Sequence, residues 1–205
     1  VGFLKQKKLY ERVLENPKEN YILFLEHNDV ITIGRRGDNS EILVEEDVLK
    51  KSGISVIKTD RGGQVTGHNP GQLTVYFIMH LKSFKLKPVE FVRFLETSIA
   101  RTMKGFGLNC FMEKGKTGVW IDSNGIAKKI AAIGLKVSNG VTTHGFALNI
   151  SNDLRLFKKI ISCGMPNSEV TSMSMESKRK LTVQDVIKAY INELETFLNC
   201  RIDNG

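Results

Sequence analysis

At 205 residues, with 41% hydrophobic and 25% charged side chains, the chain fits one globular domain with a sizeable core. No apolar run is long enough to span a bilayer and no cationic-then-apolar leader opens the chain, so a membrane partner is not expected; the start at Val1 rather than Met leads us to expect a trimmed upstream segment. Thirty Lys and Arg against 22 Asp and Glu give a formal charge of +8, which favours anionic partners, but the lysines are scattered without a basic run or interleaved aromatics, so no nucleic-acid partner is expected.

Residues 3–15 read as a helix ended by Asn16-Pro17. Two short β-branched and aromatic runs, Tyr21–Leu25 and Val30–Ile33, read as a hairpin through His27-Asn28-Asp29, with His27 a turn residue. Gly34-Arg35-Arg36-Gly37 is an exposed basic turn, and Ser40 is placed to cap a short helix over 44–50. Strands at 54–57 and 72–79 then flank Arg61-Gly62-Gly63-Gln64-Val65-Thr66-Gly67-His68-Asn69-Pro70-Gly71-Gln72. A connection with four glycines has more freedom than a hairpin needs, which suggests a backbone that approaches something closely.

Pro88 suits the first turn of a helix, and Phe91, Leu95, Ile99 and Met103 repeat at i+4 down its core face. Short strands are expected at Cys110-Phe111 and 118–121, a turn at Ser123-Asn124-Gly125, and a strand over 129–137. Asn139-Gly140 is a hairpin signal returning into a strand over 142–150. A helix over 154–160 leads to Ser162-Cys163-Gly164. Thr182 with Asp185 caps the last helix, whose buried face is Val183, Val186, Ile187, Tyr190, Leu194 and Phe197. The fold class is α+β: a single domain, 1–205, on a mixed β-sheet with flanking helices.

The three cysteines, Cys110, Cys163 and Cys200, lie far apart and form no CxxC pair, which argues against a disulfide framework or zinc site and for a reducing compartment. Cys110 and Cys200 lack glycine-rich surroundings and read as structural. Cys163 precedes a glycine in a loop, and Lys129 opens an apolar strand of small residues. A thiolate nucleophile with a lysine acid/base partner suffices for acyl transfer through a thioester. Spacing alone does not bring Lys129 and Cys163 together.

The segment from Arg61 to Thr66 with His68 and Pro70-Gly71-Gln72, then Lys129-Ile130-Ala131-Ala132-Ile133-Gly134, His144-Gly145-Phe146-Ala147-Leu148-Asn149 and Cys163-Gly164, resembles the ordered motifs of lipoyl (octanoyl) transferases. Gly118-Val119-Trp120 and Glu169-Val170-Thr171-Ser172 fit the same pattern. The resemblance implies a fold related to the catalytic domains of biotin-protein and lipoate-protein ligases. It implies octanoyl transfer from octanoyl-acyl carrier protein to a lysine of lipoyl domains, in 2-oxoacid dehydrogenases or the glycine cleavage H protein, with no cofactor and a monomeric enzyme. By motif position Cys163 would carry the acyl group and Lys129, rather than Lys128, would be its partner.

Arg61, Gly62, Gly63, Gln64, Val65, Thr66, Gly67 and His68, with Ala132, Ile133 and Gly134, and Gly145, Phe146 and Ala147, would line the acyl pocket; His144, like His68, would hold the glycine segments there. Gly67 stands where the family usually has an aromatic residue, which removes an expected wall of the tunnel, and Asn69 stands where it has glycine. The expected location is the cytoplasm in a bacterium, or a mitochondrion or plastid in a eukaryote. The competing readings are an ATP-dependent lipoate or biotin ligase of the same fold and a non-catalytic basic nucleic-acid module.

Overall fold

Proline, glycine and asparagine punctuate the chain where its elements end. Helix α1 (Gly2–Glu15) stops ahead of Pro17, and β1 (Tyr21–Leu25) and β2 (Val30–Ile33) follow. After α2 (Glu46–Lys51) come β3 (Ser55–Lys58), β4 (Val65–His68) and β5 (Gln72–Ile78). Helix α3 (Pro88–Gly105) begins on its proline, and Glu90 reaches back 2.7 Å to the Lys87 amide. Strands β6 (Cys110–Glu113), β7 (Lys116–Ser123), β8 (Ile126–Ser138) and β9 (Val141–Asn149) form a meander. Its Asn124-Gly125 and Asn139-Gly140 turns take the paired positive φ that two-residue hairpins need. The chain ends in β10 (Glu169–Val170), α4 (Met173–Ser177) and α5 (Val183–Leu198). Thr182 and Asp185 bond reciprocally at the start of α5, as the sequence predicts. This computed structural model describes residues 2–165, 169–198 and 200–203; the Cys163 side chain lies outside that description.

The strands form two sheets. The larger runs β1-β5-β9-β8-β7-β6, antiparallel throughout, with the short β10 added parallel to β8. One of its faces buries Leu73, Val75 and Phe77 of β5 and Leu148 of β9 against Phe91, Leu95, Ile99 and Met103 of α3 and Val186, Tyr190 and Leu194 of α5. The smaller sheet, β3-β2-β4, packs Ile31, Ile33 and Val65 with Leu49, Leu156, Phe157 and Ile160 into a second core.

Four local expectations change. The hairpin of β1 and β2 does not form: β1 pairs with β5 and β2 with β4, so the two belong to different sheets. His27 between them is half-buried and bonds the Tyr76 hydroxyl at 2.8 Å, so it is more than a turn residue. The first cap is Asp38, which accepts from the Ser40 amide and closes a box with Glu41; Ser40 caps nothing, and α2 starts only at Glu46. Phe197 is 41% exposed, stacking edge-on to Phe94 beneath Arg101 instead of joining the core face.

Candidate active site

The second face of the larger sheet is covered at one end by α1, whose Leu9 and Val13 pack on Ile78 and Val141. Period-two alternation sends Leu73, Val75 and Phe77 into the helix-covered core and leaves Thr74 and Tyr76 on the other side. Opposite them lie Ala147 and Gly145 of β9, and beyond those Ala132 and Gly134 of β8. Side chains this small leave a trough, roofed by the smaller sheet and the glycine segment, that encloses about 440 Å³. Gly145 has no room for more, because a Cβ there would lie 2.1 Å from the Val75 carbonyl oxygen.

The glycine segment is sewn to this floor by backbone. Gly62 donates to the Leu135 carbonyl at 2.9 Å, and Gly62 and Gly134 approach so closely that a Cβ on Gly134 would stand 2.7 Å from the Gly62 oxygen. The basic turn joins on the other side: Gly34, Arg35 and Arg36 donate to Gln64, Arg61 and Gly63 carbonyls. Those bonds use the amides and leave the Arg35 and Arg36 side chains exposed.

A polar chain runs behind the segment. The Arg61 guanidinium donates to the Thr32 carbonyl at 2.6 Å and to its hydroxyl at 2.8 Å. That hydroxyl lies 3.3 Å from His68 Nε2, and His68 Nδ1 lies 2.8 Å from the Gln72 amide oxygen. Gln72 donates onward to Asn149 Oδ1 and the Gly67 carbonyl. Burial pushes His68 down to about 3, outweighing the Gln72 hydrogen bond, so the ring is neutral and anchors the segment. His144 bonds the Asp60 carboxylate at 2.7 Å and is also held below its ordinary value, chiefly by burial. Burial pushes the Tyr76 hydroxyl up to about 12.

Lys129 reaches the trough through a register shift. Val119 pairs with Ala131 but Trp120 pairs with Lys129, which leaves Ile130 as an extra residue in β8. The bulge turns Lys129 onto the Trp120 face, away from Val119 and Ile121. Its ammonium donates to the Thr117 carbonyl at 3.2 Å and sits 4.7 Å above the Trp120 ring, with 5% of the residue exposed.

The turn Ser162–Gly164 comes to the same place. Ile161 donates to the Glu41 carbonyl at 2.7 Å, Leu43 to Lys159 at 2.8 Å, and Ile42 bridges Ile160. The turn thus docks on the strand-like segment that follows the basic turn. Gly164, at φ 66°, lies against the Gln64 side-chain amide, and Met165 lines the trough. Ser162, Lys129, Thr66 and Ala132 border one smaller recess. The backbone therefore carries Cys163 between a residue beside Lys129 and one on the trough, while its thiol lies outside the described residues.

Of the residues expected at a pocket, Arg61, Gly63, Gln64, Thr66, His68, Ala132, Ile133, Gly134, His144, Gly145, Phe146 and Ala147 face this space. Gly62, Val65 and Gly67 do not line it. Gly62 is pressed on Leu135, and Val65 is buried in the second core. A Cβ on Gly67 would point at Leu156, 2.8 Å away. The lack of a side chain at position 67 therefore makes room for Leu156 of the second core and removes no wall of the trough, which corrects the sequence expectation. Asn69 keeps its turn by donating to the Asp153 carbonyl at 2.7 Å. Sequence reading missed Tyr76, Thr74 and Thr32, all of which line the trough; alternation within 72–79 was the signal for the first two.

Residues 3–195 match the model of the lipoyl protein ligase A/B catalytic domain. The chain belongs to that family. It is 40% identical over 197 residues to an octanoyltransferase of Acidobacterium capsulatum, covering 91% of this chain and 80% of the relative. An octanoyltransferase of Parabacteroides distasonis is 42% identical over 161 residues, 78% of this chain and 73% of that one.

Among solved structures, the fold is similar to a bipartite lipoate protein ligase from Thermoplasma acidophilum, with TM-score 0.78 over 100% of this chain and 82% of that one at 16% identity. A biotin protein ligase from Aquifex aeolicus aligns at TM-score 0.52 and 13% identity over 83% of this chain and 70% of that one. The α+β family fold of the ligases, expected from the motifs, is thereby established.

Proposed function

We propose that this family member is an octanoyltransferase that moves an octanoyl group from acyl carrier protein, through a thioester on Cys163, to a lysine of a lipoyl domain. Relatives named octanoyltransferase at 40% and 42% identity support the reaction class. The observation that carries the chemistry is the placement of Lys129, buried on the lining of the trough, beside the turn that bears Cys163.

In the first half-reaction the Cys163 thiolate attacks the thioester carbonyl. The new C–S bond forms as the bond to the carrier sulfur breaks, and the Lys129 ammonium gives its proton to that leaving thiolate. In the second, the neutral amine of the acceptor lysine attacks the acyl-enzyme. The C–N bond forms, Cys163 leaves as thiolate, and the surplus proton on nitrogen returns to Lys129. The Gly134–Gly145 floor takes the alkyl chain by burying it against small side chains, a favourable transfer of apolar surface.

The ligases that share the fold supply the second reading, activation of a free acid by ATP. The experiment offers the protein either octanoyl-acyl carrier protein or octanoate with ATP and magnesium, each with a lipoyl domain. Octanoylation from the carrier alone is expected. Octanoylation that needs ATP and proceeds through an acyl-adenylate would replace the proposal with the ligase reading.

A further inference from the structure

Glu96 is a carboxylate on the core face of α3 with no surface of its own in water. A helix-interior acid on the apolar side of the sheet costs stability unless something there needs it. Its Oε2 meets Arg93 at 2.5 Å, and that arginine is more than half exposed. Its Oε1 does something else: it accepts the Gly118 amide at 3.0 Å.

The peptide that joins Gly118 to Thr117 is the one whose carbonyl, on the opposite side, accepts the Lys129 ammonium at 3.2 Å. One peptide group therefore stands between the buried anion under the sheet and the buried cation above it. An amide whose N–H points at a carboxylate is fixed in orientation, and polarisation along the chain makes its carbonyl a stronger acceptor. The backbone is shaped for this. Gly118 takes φ 126°, and a Cβ there would lie 2.6 Å from the Ala131 oxygen and 3.4 Å from Lys129 Cε.

We propose that Glu96 is a positioning residue that holds Lys129 over the trough through the Thr117–Gly118 peptide. The proposal rests on the reading of Lys129 as the acid/base group. Rotation of that peptide would withdraw the acceptor, and among the described residues the ammonium would keep the Trp120 face. The aromatic face fixes its height but not its direction toward the Cys163 turn. Glu96 does not line the trough and would act through the peptide.

Trp120 is the single tryptophan of the chain, so its fluorescence reports the geometry of the Lys129 head directly. Glu96→Ala should lower kcat on the order of 10²-fold, the scale of a misplaced reacting group, with KM for octanoyl-acyl carrier protein little changed. Its Trp120 emission should move toward that of Lys129→Met. Glu96→Gln, which keeps an oxygen acceptor for Gly118, should restore most of the rate and the parent emission. Should Glu96→Ala fail to fold, the Gly118 amide proton resonance in the parent and in Lys129→Met gives the same information. It should lie downfield in the parent and move upfield when the ammonium is removed.

A folded Glu96→Ala with parent kcat and parent emission would overturn the proposal, as would a Gly118 resonance indifferent to Lys129→Met. Altered emission with parent kcat would uphold the hold on Lys129 and overturn instead its role in transfer.

Discussion

Lys128 and Lys129 are neighbours in β8 and leave the strand on opposite faces. Lys129 is buried on the Thr117 carbonyl, whereas Lys128 forms a 2.9 Å ion pair with Glu169 of β10, more than half of whose side chain is exposed. The bulge at Ile130 makes the difference, since it alone turns Lys129 to the trough. Lys129→Met, similar in length but unable to carry a proton, should reduce transfer about 10²–10⁴-fold. Lys128→Met should alter activity little, because exposed ion pairs contribute about 0–1 kcal/mol. Steady-state rates on purified variants check both; equal losses would remove the distinction drawn between the two lysines.

The floor of the trough gives a stability prediction. At Gly145 the obstacle to a Cβ is the backbone oxygen of Val75, which no rotamer change can move. Gly145→Ala must spread β9 from β5 and should cost about 1–3 kcal/mol, the range for overpacking. Gly105→Ala provides the comparison, since its Cβ would meet open space and, like Gly145, it has no positive φ. Urea unfolding should show the larger loss at Gly145.

The neutral histidines give the pH dependence its sign. His68, at about 3, stays unprotonated in the folded protein where an unfolded histidine takes up a proton near pH 6.5. The unfolded state thus binds more protons in that window, so the stabilisation is whole above about pH 6.5 and is lost as pH falls toward about 3. His27 and His144 are held down by burial and act in the same direction. For His68 the fall should approach about 1.4 kcal/mol per pH unit between about pH 6 and about pH 4.5. His68→Asn should remove one group's share of that slope in urea titrations repeated across pH; an unchanged slope would contradict the neutral assignment.

Much of this was legible in the sequence because local chemistry decided it. Asn124-Gly125 and Asn139-Gly140 could hardly be anything but hairpin turns, and the Phe91, Leu95, Ile99 and Met103 stripe could face only a core. The glycine motifs marked the backbone that closes on the trough. What failed was decided at a distance. Tyr21–Leu25 and Val30–Ile33 look like a hairpin until β5 and β4, far on in the chain, are seen to claim them. Glu96 was invisible for a related reason: a glutamate in a helix reads as solvent-facing, and its partner amide lies 22 positions away. The Ile130 bulge and the direction of Gly67 belong to the third dimension, with no trace in period or propensity.

Arg35 and Arg36 stand exposed at the trough mouth, Arg36 among its lining residues, with their amides already used by the glycine segment. Under the proposed function, on a chain of formal charge +8, they would steer an acidic carrier protein, an attraction that salt screens over about 8–10 Å. Arg35→Glu with Arg36→Glu should lower kcat/KM for octanoyl-acyl carrier protein, more at low salt than at high. Rates with a small octanoyl thioester should barely change. Equal losses with both donors would place the damage in the trough and end the docking role.

The central claim, an acyl group carried on Cys163, is tested most directly by intact mass spectrometry after incubation with octanoyl-acyl carrier protein. The account expects one octanoyl adduct that hydroxylamine removes. It should be absent in Cys163→Ser and retained in Cys110→Ser and Cys200→Ser. Burial pushes the Cys110 thiol up to about 12, which denies it a thiolate, and Cys200 is exposed near the chain end, with Glu195 as its amide's partner. A stable adduct on Cys110 or Cys200, with Cys163 unmodified, would contradict the account.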